Sequence, residues 1–242
     1  MKIEGSVALV TGANRGLGAA YVQALLERGA ARVYAAARQP EAVTSADARV
    51  VPLRLDVTDR ASIDAAVRAA GDVTLLINNA GISTRTPTLG AEVLLRQELE
   101  VNYFGPVAIS RSFAPVLAAN GGGALVNVLS ALSWVTLPTS GGYSAAKAAM
   151  WAATNGLRLA LSAQGTLVVG VHVSYMETDM TAGINAPKIQ PEAVADATLD
   201  AIEAEEPEVL ADDTARHVRS ALSGPLSGLY PSLTRVEAVN SR

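Results

Sequence analysis

The chain has 242 residues, 50% of them hydrophobic, 17% charged and 4% aromatic, with a net charge of −4. That length makes one generous domain, 1–242, able to bury a core without covalent staples. No apolar run reaches the ~18 residues that span a bilayer, and the absence of cysteine excludes disulfides, thiolate metal sites and cysteine nucleophiles.

The N-terminal stretch reads as a first strand, Val7 to Val10, and not as a signal peptide, because it runs directly into glycines. Without an export signal, the cytoplasm is the expected location. A helix follows from Leu17 to about Arg28 and stops at Gly29. Strands are predicted at Arg32–Ala37 and Arg49–Leu55, then a helix capped by Thr58 or Asp59 that ends at Gly71. Val73–Ile77 is the fourth strand. Glu92–Leu117 reads as one long helix distorted at Gly105-Pro106. Leu125–Leu129 is the fifth strand, with a loop over Ser130–Gly142, a helix over Tyr143–Ala163 and a sixth strand over Leu167–Val173. A helix over Pro191–Ala204 and a short edge strand at Glu208–Leu210 complete the pattern; Ser220–Arg242 carries little signal. Unbroken apolar strands alternating with helices mean a doubly wound α/β fold, a parallel sheet covered on both faces.

Thr11-Gly-Ala-Asn-Arg-Gly-Leu-Gly18 lies between the first strand and the first helix. Glycines there permit a tight turn and close backbone approach, and the helix N-terminal amides face a pyrophosphate. An NAD site places an acid at the end of the second strand to hold the ribose 2′-hydroxyl. This chain has Ala35-Ala-Ala-Arg38, and no acid until Glu41. Arg38, with Arg15 as a second positive charge, suits a 2′-phosphate. NADP, with NADPH preferred over NADH, is the expected cofactor.

Between Arg111 and Arg158 the only charged residue is Lys147, one of three lysines in the chain. Tyr143 precedes it by one helical turn, so the two side chains share a face. A free phenol, with a pKa near ~10, is about 0.1% ionised at neutral pH. A desolvated ammonium and a nicotinamide's positive charge both draw that value down, making the phenol a general acid or base. Ser130, at the end of the fifth strand, is placed to donate to the same substrate oxygen. His172 and His217 are far apart and lack carboxylate spacing, so no metal is expected. No basic stripe offers nucleic acid a surface.

These residues, with Leu55-Asp-Val57, Asn78-Asn-Ala-Gly81 and Asn102, resemble the classical short-chain dehydrogenase/reductase family over roughly residues 5–210. The resemblance implies a Rossmann-type fold and hydride transfer between a nicotinamide and a carbonyl or alcohol carbon. It makes Tyr143 the proton donor or acceptor, Ser130 the orienter of the substrate oxygen, and Lys147 the tuner that also binds nicotinamide ribose. Asn102 would hold a water in a proton relay. Gly12, Asn14, Arg15, Gly16, Leu17, Gly18, Arg38, Asp56, Val57, Asn79, Ala80, Gly81, Met176 and Thr178 would join Tyr143 and Lys147 around the dinucleotide. The family's Pro-Gly after the sixth strand is Val173-Ser174 here, which is expected to redirect the loop and push Tyr175 toward the substrate.

Ser130, Trp134, Tyr143 and Tyr175 are thus the expected substrate contacts, with Thr84, Leu137 and Met180 nearby, and they suit a hydrophobic ketone, aldehyde or alcohol. Three rivals are weaker. An extended-type epimerase needs a larger C-terminal domain, and a serine hydrolase needs a G-x-S-x-G elbow. A non-catalytic NADP sensor or scaffold would keep the glycine loop and lose the Tyr–Lys pair. The family's habit of pairing long helices implies a homodimer or homotetramer.

Overall fold

The computed structural model describes residues 1–231 of the chain. Seven strands form one parallel sheet: β1 (Val7–Thr11), β2 (Arg32–Ala37), β3 (Val50–Arg54), β4 (Leu75–Asn78), β5 (Ala124–Val128), β6 (Leu167–His172) and β7 (Glu208–Leu210). The helices are α1 (Gly16–Glu27), α2 (Arg60–Ala69), α3 (Glu92–Leu99), α4 (Gly105–Ala119), α5 (Gly141–Leu161), α6 (Pro191–Glu203), α7 (Asp213–Ala221) and the short α8 (Leu226–Leu229). Spatial order is β3-β2-β1-β4-β5-β6-β7. The winding reverses between β1 and β4, and at such a reversal the loops beyond the carboxyl ends part and leave a crevice.

The apolar runs are continuous because both faces of the sheet are covered. Successive side chains point to opposite faces, so Ala8 and Val10 pack with Tyr21, Leu25 and Leu199 beneath α1 and α6. Leu9 between them packs with Ile63, Ile109 and Phe113 beneath α2 and α4. The same alternation divides Leu75 and Ile77 from Leu76, and Ala124 and Val126 from Leu125. Each fully buried Leu, Ile or Phe contributes roughly 1.5–3 kcal/mol relative to exposure. Asp59 caps α2 by accepting from the Ala61 amide at 3.0 Å.

Strand and helix positions follow the sequence reading to within a residue or two, with two exceptions. The long helix over 92–117 is interrupted: α3 ends at Leu99 and a π turn, Glu100–Phe104, precedes α4. Pro106 has no N–H to close the ladder onto Asn102, and the chain widens just ahead of Gly105-Pro106. Gly105 is needed there by packing, since a Cβ on it would stand 2.9 Å from the Val57 carbonyl oxygen. The second exception is α7, capped by Asp212 through the Ala215 amide, where no helix was predicted. In the segment that carries little sequence signal, half of 220–231 belongs to α7 and α8; residues 232–242 lie outside the described residues.

Candidate active site

Beyond the carboxyl ends of β1, β4, β5 and β6 lies a crevice of about 960 Å³. One end is the glycine loop. Thr11, the last residue of β1, accepts at Oγ1 from the Asn79 and Ala80 amides at 2.9 and 3.0 Å. The Asn79 side-chain amide donates back to the Thr11 and Gly12 carbonyls at 2.9 and 3.3 Å. The turn after β4 therefore clamps the loop before α1. Gly18 allows the loop to fold on itself: a Cβ there would lie 2.1 Å from the Gly12 oxygen.

The other end holds Ser130, Tyr143 and Lys147. Ser130, buried just past β5, accepts at Oγ from the Leu132 amide at 3.1 Å and donates to the Val173 carbonyl at 3.3 Å. It lies near enough to the Tyr143 hydroxyl to lower that group's pKa. Lys147, one turn along α5 and buried, donates through Nζ to the Val128 carbonyl at 2.7 Å. Its ammonium lies 5.6 Å from the centre of the Tyr143 ring. An ammonium has three protons, and no acidic partner is recorded for Lys147 among the described residues, so it retains donors for a ligand in the crevice.

The electrostatics differ from the expectation of a phenol drawn down by its lysine. Burial pushes the Tyr143 hydroxyl up to about 12, against the lowering effect of Ser130, and the Glu98 charge pushes the same way as burial. Burial also lowers Lys147 to about 8. The protein's own groups thus hold Tyr143 as a proton donor.

Every residue expected around the dinucleotide, from Gly12 to Thr178, lines this one crevice, as do Ser130 and Met180. Arg38 stands exposed at the β2 end and makes no ion pair recorded among the described residues, whereas Arg15 pairs with Asp179 at 2.9 Å across the mouth. Asp56 is occupied at Oδ1 by the Thr58 amide (2.9 Å) and hydroxyl (2.7 Å), which lower its pKa below the usual carboxylate range.

Other expected residues lie elsewhere. Asn102 is buried in the π turn and does not line the crevice; its side chain accepts from the Ile82 amide at 3.1 Å and donates to the Ile82 carbonyl at 2.9 Å. Its side chain fixes the chain after β4 and keeps a second amide proton and a second carbonyl lone pair. Trp134 is also absent from the lining: it stacks on His172 at 3.8 Å, meets Trp151 edge-on and lies under the Arg219 guanidinium. Thr84 and Leu137 are likewise outside the lining.

The Val173-Ser174 loop does not push Tyr175 inward. The Ser174 amide is held by Asp212 Oδ2 at 2.6 Å, and the Tyr175 carbonyl accepts from the Ile189 amide at 3.0 Å. In this extended path Ser174 and Met176 face the crevice and Tyr175 alternates away. Neither Val173 nor Ser174 has positive φ, so the loop needs no glycine.

Sequence reasoning missed His172 as a support of the site. Its Nδ1 lies 3.1 Å from the Ser130 carbonyl oxygen, and the ring is fully buried. Burial lowers its pKa to about 4, opposed by the Ser130 bond. With the folded value below the unfolded ~6.5, the stabilisation is complete above pH ~6.5 and is lost as pH falls toward about 4. That amounts to about 3 kcal/mol. Urea unfolding at about pH 7 and about pH 4 is expected to show a steeper acid loss for wild type than for His172→Asn. Equal losses would remove His172 as the cause.

A parallel sheet with a glycine-lined crevice at its switch point defines a nucleotide-binding α/β protein, and a Ser–Tyr–Lys cluster at the far end gives it a place for acid–base chemistry. The chain matches the model of the short chain dehydrogenase family over residues 6–189 and belongs to that family, a family of oxidoreductases. It is similar to a short chain dehydrogenase from Burkholderia cenocepacia J2315 solved in complex with NADP, at 42% identity and a TM-score of 0.92. That match covers 96% of this chain and 99% of the other. The fold is shared with a short chain dehydrogenase/reductase from Burkholderia phymatum solved with NAD (24% identity, TM-score 0.79, covering 92% and 96%). Cis-4-hydroxycyclohexanecarboxylate dehydrogenase of Sinomonas cyclohexanicum is 35% identical over 191 residues, 74% of this chain and 77% of that protein.

Proposed function

We propose that the protein is an NADP(H)-dependent oxidoreductase that interconverts a hydrophobic ketone or aldehyde and its alcohol, with Tyr143 as general acid and base. The observation that carries this reading is the meeting, in one crevice, of the glycine loop with Ser130, Tyr143 and Lys147. The residues present fit a dinucleotide. The loop from Gly12 to Gly18 offers backbone amides for a pyrophosphate, and the spare Lys147 donors suit ribose hydroxyls. Arg38 offers a guanidinium for a 2′-phosphate. A bound nicotinamide dinucleotide supplies or accepts the hydride.

The chain's own residues do the rest. The Ser130 hydroxyl turns its one proton from the Val173 carbonyl to the substrate carbonyl oxygen, to which the Tyr143 hydroxyl also donates, and the two fix its position. As negative charge grows on that oxygen, Tyr143 transfers its proton, because an alkoxide is a far stronger base than a phenolate. Lys147 then stabilises the phenolate across the helical turn. In alcohol oxidation the same proton returns to Tyr143.

Ile82, Ser83, Val101 and Met180 add apolar and small polar surface to the lining, which favours a substrate of modest polarity. The test is absorbance-monitored turnover of a panel of cyclic, aromatic and aliphatic ketones and alcohols with each cofactor. Consumption of NADPH by at least one apolar ketone, faster than that of NADH, is the expected result. Turnover with neither cofactor across the panel refutes the reading.

A further inference from the structure

Glu98 sits in the last turn of α3 and is fully buried. It shares a helix face with Leu95 and Asn102 by spacing, a stripe on which an apolar residue would be the ordinary choice. Its Oε1 accepts from the Thr84 amide at 2.7 Å, while Oε2 has no hydrogen-bond partner recorded among the described residues. That second oxygen rests against the first turn of α5: a Cβ on Gly142, the residue before Tyr143, would stand 2.1 Å from it. Gly142 thereby makes room for the carboxylate, and the N-terminal turn of the 21-residue α5 favours a negative charge beside it.

The segment after β4 is gripped at alternate residues. Asn102 holds Ile82, Glu98 holds Thr84, and the Gly142 amide donates to the Thr86 carbonyl at 3.3 Å. Ser83, between two gripped residues, lines the crevice. Among the described residues, three polar groups act on the Tyr143 hydroxyl or lie beside its ring: Ser130 from the end of β5, Lys147 from its own helix, and Glu98 from α3, whose carboxylate rests against the preceding Gly142. Of these, the Glu98 charge opposes loss of the phenolic proton.

We infer that Glu98 is a positioning residue of the active site: it fixes the crevice wall over 82–86 through Thr84 and sets its second carboxylate oxygen against the turn of α5 that carries Tyr143. The inference rests on the reading of Tyr143 as the acid. A buried carboxylate with one unpartnered oxygen destabilises a fold. A glutamine would keep an acceptor for Thr84 and remove the charge, at the cost of an unpartnered amide in place of Oε2.

Glu98→Gln separates the two roles, because it preserves shape and an acceptor while removing charge. In the NADP+ complex, the near-ultraviolet phenolate band is titrated with and without Tyr143→Phe in each background, and the difference isolates Tyr143 among the six tyrosines. The Tyr143 midpoint is expected to fall by about one pH unit in Glu98→Gln, a roughly tenfold loss of proton affinity. The pH limbs of ketone reduction and alcohol oxidation are expected to move down with it.

Coincident midpoints overturn the inference, as does the absence of Tyr143 ionisation in both proteins across the pH range in which both stay folded. A purely structural carboxylate would alter melting temperature and leave the midpoint in place. Glu98→Ala also removes the acceptor. It is expected to lose amide-exchange protection at Thr84 and to raise the ketone KM several-fold, with Glu98→Gln retaining both; unchanged protection in Glu98→Ala overturns the clamp. If Tyr143→Phe reduces ketones at the wild-type rate, the acid role itself fails. If that variant is inactive and the midpoint does not move, only the inference about Glu98 fails.

Discussion

Replacing Tyr143 by phenylalanine is expected to lower kcat for ketone reduction by about 10²–10⁴-fold, the usual contribution of a positioned general acid. That corresponds to roughly 3–5 kcal/mol of transition-state stabilisation. The substitution deletes one oxygen and leaves the ring in the crevice. Ser130 retains its bonds to the Leu132 amide and the Val173 carbonyl, and Lys147 retains the Val128 carbonyl, so the site's frame persists. NADPH binding, read by fluorescence titration, is expected to change by less than about threefold, because the hydroxyl contributes to chemistry more than to affinity. A variant with wild-type turnover would show that the proton comes from another group.

The second large effect concerns the far end of the crevice. Arg38→Asp is expected to raise the KM for NADPH by about 100-fold while leaving that for NADH within about threefold. A charge-assisted bond to a phosphate contributes about 1.5–3 kcal/mol, and the new carboxylate adds repulsion. The site has little to compensate. β2 ends at Ala37 with no acid to hold a bare ribose, Arg15 is engaged by Asp179, and the Asp56 carboxylate is held by Thr58. An aspartate at position 38 also supplies the acceptor that a 2′-hydroxyl requires. Steady-state kinetics with both cofactors check this; an unchanged KM for NADPH refutes the role of Arg38.

The fold was legible because its signals are local. Val7–Thr11, Leu75–Asn78 and Ala124–Val128 are apolar on both faces, and glycines or caps mark where helices begin and end. The grouping of Ser130, Tyr143 and Lys147 was legible for the same reason: Tyr143 and Lys147 lie one turn apart on one helix, and Ser130 follows the end of a strand. Legibility failed where a side chain's direction is set by partners remote in sequence. Tyr175 turns away from the crevice because Asp212 and Ile189 fix the backbone on either side of it. Trp134 is drawn onto His172 and Arg219, so an aromatic expected at the substrate lies outside the crevice lining.

Glu98 carried a usable signal, a charge on the stripe that leads to Asn102, but its meaning depended on Gly142 of a different helix. The direction of the Tyr143 shift was missed for a related reason. Spacing reveals the ammonium, but not the depth at which the hydroxyl is buried or the carboxylate opposite it.

The Arg15–Asp179 ion pair joins the loop before α1 to the segment after β6, and the Arg85 guanidinium reaches the Ala182 carbonyl at 3.3 Å from the opposite wall. Both tethers end on the same short stretch of chain, 179–182, so the glycine loop and the wall after β4 are joined through it. One link is an exposed ion pair and the other a bond to a neutral carbonyl, so added electrolyte weakens the first far more than the second.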